Sequence, residues 1–313
     1  MSSLLFPGQG SQIVGMGAEF FKNYKQAKEI FKRADEKLGF HISKMILEGP
    51  MDELQLTKNT QPAILTVSYS IFKIMQDEFG LNLDLFKSLA GHSLGEYTAL
   101  VCSEALNFED ALFLLHERGT AMQEAVPVGK GSMLAVLGAD INIVKEFLIN
   151  SNLNDGICEI ANDNAEGQVI VSGDTETINS FQSILKKEKI KTIPLKVSAP
   201  FHCSLMKPAA DKMREKINQT NFLKPKIDII SNVTTKPEKD PTTIKKLLIS
   251  QIFSTVRWRE SIINISKMGV GNFIEIGPGK ALTGMVKRTI KNVNCFSINS
   301  IADIKILKDE LKK

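Results

Sequence analysis

Ala90-Gly91-His92-Ser93-Leu94-Gly95-Glu96 sets a serine between two glycines, in the pattern Gly-x-Ser-x-Gly. Lys87-Ser88-Leu89-Ala90 ahead of it reads as a strand, and Tyr97-Thr98-Ala99-Leu100-Val101 behind it as a helix. A serine on such a strand-to-helix turn sits in strained backbone with its hydroxyl pushed into the open. The flanking glycines are expected where neighbouring backbone comes so close that a Cβ would clash. The Leu94 N–H points to where an oxyanion would form, and the helix N-terminus behind it favours negative charge. The stretch predicts an α/β protein with Ser93 as a nucleophile for acyl transfer. The plainer alternative is a structural turn in an α/β protein.

The 313 residues have a mean hydropathy of −0.04, which suits one large domain or a domain carrying a smaller insert. No apolar run reaches the ~18 residues of a membrane span. Met1-Ser2-Ser3-Leu4-Leu5-Phe6-Pro7 has neither the basic start nor the long apolar stretch of a signal peptide. Cys102, Cys158, Cys203 and Cys295 are scattered with no Cys-x-x-Cys pair, so reduced thiols in a cytoplasm are expected. No His/Cys cluster has metal spacing, and no metal is expected. The net charge of +4 is too small to argue for nucleic acid.

Ser3-Leu4-Leu5-Phe6 reads as a first strand and Pro7-Gly8-Gln9-Gly10-Ser11-Gln12 as a loop. One amphipathic helix is expected from about Glu19 to Leu38. Another runs from about Pro62 to Phe79, opening on a first-turn proline, and a third from about Glu109 to Ala125. Val126-Pro127-Val128-Gly129-Lys130-Gly131 marks a crossing into a different pattern. Strands at Met133–Leu137, Ile157–Ala161, Gln168–Ser172 and Lys191–Leu195, with helices at Ile141–Leu148 and Thr177–Glu188, give the order β-α-β-β-α-β. That is the ferredoxin-like arrangement. Residues 128–197 are therefore expected to form a small inserted subdomain, and 1–127 with 198–313 the α/β catalytic one. Ile227–Ser231 and Asn272–Ile276 resume buried strands joined to helices, as a parallel sheet needs.

A serine hydroxyl needs a base within reach, and the chain has four histidines. His41 joins two helices. His116 lies inside a helix among leucines. His92 precedes the nucleophile, points away from it, and could line a pocket. His202, in Ala199-Pro200-Phe201-His202-Cys203, lies just past the insert, where a loop faces the cleft between subdomains. Elimination leaves His202 as the candidate base.

Phe6-Pro7-Gly8-Gln9-Gly10-Ser11-Gln12, Gly91-His92-Ser93-Leu94-Gly95-Glu96-Tyr97, Arg118-Gly119 with Met122-Gln123, and Ala199-Pro200-Phe201-His202 occur in that order. Asn162 and Val171-Ser172-Gly173 fall in the insert. Gln251, Val256-Arg257-Trp258 and Ile276-Gly277-Pro278-Gly279 follow. This ordered set resembles the malonyl-CoA:acyl carrier protein transacylase family over nearly the whole chain. The resemblance implies a hydrolase-like α/β subdomain with a ferredoxin-like insert. It implies a Ser93–His202 dyad whose imidazole is oriented by a carbonyl at Gln251, and an oxyanion hole of the Gln12 and Leu94 N–H groups. It implies that Arg118 grips the free carboxylate of a malonyl group. Phe201 would crowd an α-branched acyl group, while His92, Asn162 and Gln61 would sit near the cleft.

The activity so implied is ping-pong transfer of malonyl from malonyl-CoA, through Ser93, to the phosphopantetheine thiol of acyl carrier protein. No bound cofactor, no membrane and a monomer are expected. The rival readings are a serine esterase or thioesterase, since the same turn serves water, and a carrier-binding subunit with an idle site. A patatin-like dyad would need an acid such as that in Asp155-Gly156, which reads as a turn in the insert. The Gly8/Gly10 loop lacks a complete nucleotide-binding pattern.

Overall fold

The computed structural model describes residues 1–151, 153, 156–197 and 199–310. Asp155 and Ser198 lie outside the described residues. Two sheets organise the chain. The first holds β1 (Ser2–Phe6), β2 (Phe86–Gly91), β7 (Asp228–Ile230), β8 (Pro237–Glu238), β9 (Asn272–Ile276) and β10 (Asn294–Ile298), in the order β10-β9-β1-β2-β7-β8. All its pairs are parallel except β7 with β8. The second holds β3 (Gly131–Leu137), β4 (Cys158–Ala165), β5 (Gln168–Asp174) and β6 (Lys191–Pro194), antiparallel throughout, in the order β4-β5-β3-β6. The architecture is mixed α/β with one mainly parallel and one antiparallel sheet.

In the parallel sheet the chain leaves β1 on one side for β2 and returns on the other side as β9. Ligands in such sheets gather at the carboxyl ends of the strands where the order reverses. Phe6 pairs with Gly91, so the loop after β1 and the turn after β2 start side by side at that point. In the antiparallel sheet, alternation sorts the side chains into two layers. Leu134, Val136, Val169 and Val171 pack onto Ile178, Phe181 and Leu185. Met133, Ala135 and Ile170 face the opposite way and join the main core. Met133 and Ile170 of that second face line one cavity with Pro7, just after β1, and with His92 and Ser93, just after β2. The edge strand β4 is laced to the loop before the helix Trp258–Lys267: Val256 N donates to Ala161 O at 2.8 Å, and Asp163 N to Val256 O at 3.0 Å.

Two helical expectations need correction. The helix expected from Glu19 to Leu38 is two helices, Ala18–Asn23 and Lys25–Leu38. Tyr24 breaks them in extended backbone and packs its ring against Phe20 and Phe79. The helix expected to open at Pro62 instead spans Thr57–Phe79 with Pro62 inside it. Proline has no N–H, so the Lys58 carbonyl four residues back loses its helical donor. The His116 ring fills that gap, its Nδ1 3.0 Å from Lys58 O. His116 therefore has a structural task.

Candidate active site

The turn after β2 forms as the sequence requires. A Cβ on Gly91 would meet the Gly95 backbone, and one on Gly95 would meet Phe6 O. Ser93 sits at φ 52, a region that non-glycine residues rarely occupy. Its Oγ lies 2.8 Å from His202 Nε2. His202 Nδ1 lies 2.9 Å from Gln251 O. A carbonyl can only accept, so Nδ1 carries the ring proton and Nε2 is left free to accept from Ser93. Burial and the nearby Arg118 charge push His202 down to about 3, so the ring is a neutral base across the physiological range. Backbone thus holds the tautomer here, where a triad would use a carboxylate.

Arg118, on the helix Phe108–Glu124, is only 1 % exposed. It reaches the site because Gly119 lets this helix press against the backbone of Thr57 and Lys58. One terminal nitrogen donates to Gln61 Oε1 at 2.8 Å, and the other to Ser93 Oγ at 3.1 Å and Gln251 Oε1 at 2.9 Å. Its Nε has no partner among the described residues. Glu117 and Glu124, its neighbours in sequence, pair instead with Lys216 and Lys212. Burial lowers the pKa of Arg118, partly offset by Tyr97 and Glu96. A buried guanidinium with no ion-pair partner among the described residues lies next to the serine hydroxyl.

Ser93, His202, Arg118 and Gln61 line a cavity of about 270 Å³ together with Met133, Ile170 and Phe201. His92 and Asn162 also line it, as does Leu94. His92 Nε2 bonds Asn164 Oδ1 at 2.8 Å, and its ring packs edge-on to Trp258. The structure does not bring Gln12 to the cavity. Its side chain folds back to accept from Gly10 N at 2.7 Å. Gln9, three residues earlier on the same loop, lines the cavity and anchors to Thr57 Oγ1 at 3.2 Å. The N–H groups of Gln9 and Leu94 have no acceptor among the described residues. In a glycine-rich loop, register cannot be read from residue type, so the sequence did not single out Gln9.

Sequence reasoning also missed Glu96 and Asn232, which pack beneath the serine turn. The signal for Glu96 was its place in the first turn of the helix Gly95–Cys102; nothing local marks Asn232. Gln251 also does more than the sequence suggested. Beyond the carbonyl it lends to His202, its amide is fully buried and bonds Ser93 O, Glu96 and Arg118.

The family model described as acyl transferase domain matches residues 4–308. The chain is 40% identical over 312 residues to the malonyl CoA-acyl carrier protein transacylase of Bacillus subtilis, covering 99% of this chain and 97% of that one. The solved acyl-carrier-protein-S-malonyltransferase of Bartonella henselae superposes with a TM-score of 0.95 at 39% identity, covering 100% of this chain and 99% of that chain. A malonyl-transacylase solved with its type II PKS acyl-carrier protein superposes at 0.95 and 35% identity, covering 99% of each chain. The chain belongs to the malonyl CoA-acyl carrier protein transacylase family, built on the acyl transferase domain.

Proposed function

We infer that this protein moves a malonyl group from malonyl-CoA to the phosphopantetheine thiol of acyl carrier protein, through a malonyl ester on Ser93. The observation that carries the substrate class is Arg118. A buried arginine without an ion-pair partner among the described residues, 3.1 Å from the attacking oxygen, suits an acyl group whose own carboxylate lies two carbons from the reacting carbonyl. The names of the relatives agree with this.

In the first half-reaction Ser93 Oγ bonds to the thioester carbon and passes its proton to His202 Nε2. The Gln9 and Leu94 N–H groups receive the oxyanion. The carbon–sulfur bond breaks, the proton goes to the leaving sulfur, and CoA departs. In the second half the carrier thiol gives its proton to His202 and attacks the ester. Ser93 leaves and recovers the proton. Both ends are thioesters, so no energy source is required.

We read residues 128–197 as a ferredoxin-like subdomain inserted between 1–127 and 198–313 of a hydrolase-like one. The β4-β5-β3-β6 order and the separate apolar cluster of that segment support this. With this reading we propose a monomer and a cytoplasmic location; no helix among the described residues is long and apolar enough to cross a membrane.

The test is intact mass after mixing with malonyl-CoA alone, with Ser93→Ala as control. A gain of one malonyl group on the wild type only, discharged by phosphopantetheinylated carrier, is expected. Accumulating malonate with no adduct would make the protein a hydrolase.

A further inference from the structure

The left-handed backbone at Ser93 has to be held from outside the turn, because a non-glycine residue at φ 52 relaxes when nothing opposes it. Three fully or nearly fully buried side chains meet there: Glu96, Asn232 and Gln251. Asn232 Oδ1 accepts the Ser93 N–H at 2.7 Å, and its Nδ2 donates to Gly91 O at 2.7 Å. One amide therefore bridges the turn from the end of β2 to the nucleophile itself. Asn232 is itself fixed by its own N–H, which donates to Glu96 Oε2 at 3.1 Å. Gln251 Nε2 donates to the same oxygen at 2.7 Å and to Ser93 O at 3.1 Å. The main-chain carbonyl of Gln251 is the acceptor that orients His202.

A single carboxylate oxygen thus ties together the serine turn, the loop after β7 and the end of the helix Pro241–Gln251. Glu96 and Asn232 do not line the cavity, so the acyl group does not account for them. We propose that Glu96 and Asn232 are positioning residues that lock the Ser93 hydroxyl and the His202 imidazole into one fixed relation. The physical reason is that two catalytic groups borne by separate loops react fast only when their relative placement is held tightly. A displacement of ~1 Å can cost 10²-fold. A network buried at low dielectric holds them best when each polar atom has its partner.

The proposal rests on Ser93 being the nucleophile, and the experiment separates the two. Single-turnover acylation by malonyl-CoA is followed by intact mass for the wild type, Asn232→Asp, Glu96→Ala and Glu96→Gln. Malonyl-CoA affinity is measured for each with Ser93→Ala added. Asn232→Asp is isosteric and keeps an acceptor for Ser93 N–H, but it turns the donor facing Gly91 O into a second acceptor. It should acylate at least about tenfold more slowly with affinity held within about twofold. Glu96→Ala should fall likewise. Glu96→Gln keeps an oxygen acceptor and should lose less than about threefold.

The proposal is overturned if Asn232→Asp acylates at the wild-type rate. It is also overturned if rate and affinity fall together, or if Glu96→Gln falls as far as Asn232→Asp. Asn232→Asp and Glu96→Gln decide the matter even if Glu96→Ala fails to fold. A wild type that gains no malonyl group would instead refute Ser93 as nucleophile.

Discussion

Two arginines are drawn toward the interior of this molecule, and they end differently. Arg259 meets Asp163, whose carboxylate is fully buried, with its Nε 3.0 Å from both oxygens and a terminal nitrogen at 2.9 Å. Arg118 is more deeply buried and ends on two amide oxygens and a serine hydroxyl. The one carboxylate that raises its pKa from nearby, Glu96, gives its bonded oxygen to Asn232 and Gln251. A satisfied ion pair clasps β4 to the helix Trp258–Lys267. Arg118, hydrogen-bonded only to neutral groups and without an ion-pair partner among the described residues, is the one proposed to take an anion from outside. The difference teaches that partners, more than burial, separate a structural charge from a binding one.

The comparison breaks most readily at Arg259. Burial holds the Asp163 carboxyl above its ordinary range even with the guanidinium beside it. Removing the guanidinium leaves that carboxylate uncovered. Arg259→Ala should cost about 3–5 kcal/mol of stability, read by denaturant unfolding, while the folded fraction keeps its acylation rate. Arg118→Ala should do the reverse, losing about 2–5 kcal/mol of malonyl transfer with a much smaller change in unfolding. Malonyl turnover surviving Arg118→Ala, or a stable Arg259→Ala, would dissolve the distinction.

Glu96 sharpens the comparison through pH. Burial pushes its carboxyl from the ordinary value of 4.5 up to about 7. The folded state then binds the proton more tightly than the unfolded chain does. The resulting stability is fully present below pH 4.5 and is lost as pH rises through about 7. Glu96→Gln removes that loss, so at pH 8 it should be the more stable protein, by up to about 3 kcal/mol. At pH 4 the two should unfold alike. His202 runs the opposite way: its folded value near 3 lies below the ordinary 6.5, so its neutral burial costs stability as pH falls from 6.5 toward 3.

The smallest effect concerns acyl shape. Phe201 lines the cavity beside His202, and a methyl group in an apolar pocket is worth about 1–3 kcal/mol. Phe201→Ala should narrow the preference for malonyl-CoA over methylmalonyl-CoA by that amount, measured as the ratio of kcat/KM values. An unchanged ratio would remove Phe201 from the determinants of specificity.

Residue pattern alone carried the local story. Gly91-His92-Ser93-Leu94-Gly95 announced a strand, a tight turn and a helix, because close backbone contact leaves room only for glycine. The apolar run Met133–Leu137 announced a strand, whose two faces only the fold assigned, and elimination among four histidines left His202. The pattern could not place Tyr24 as a helix break or Pro62 inside a helix. In both cases tertiary partners, the rings of Phe20 and Phe79 and the imidazole of His116, supply what local propensity lacks. The family resemblance implied a loop donor at Gln12, and the fold brings Gln9 of the same loop to the cavity.

What the sequence by itself offered is a serine on a nucleophile-type turn, one histidine left by elimination, and an arginine singled out by the family resemblance. Only the tertiary structure decided their partners. Asn232 lies 139 residues from Ser93 along the chain, and Gln251 lies 49 from His202. Contacts at such distances leave no periodic trace in sequence, because they are set by how two sheets and their helices pack. That packing also buried Arg118 away from its neighbouring glutamates and left it without an ion-pair partner among the described residues.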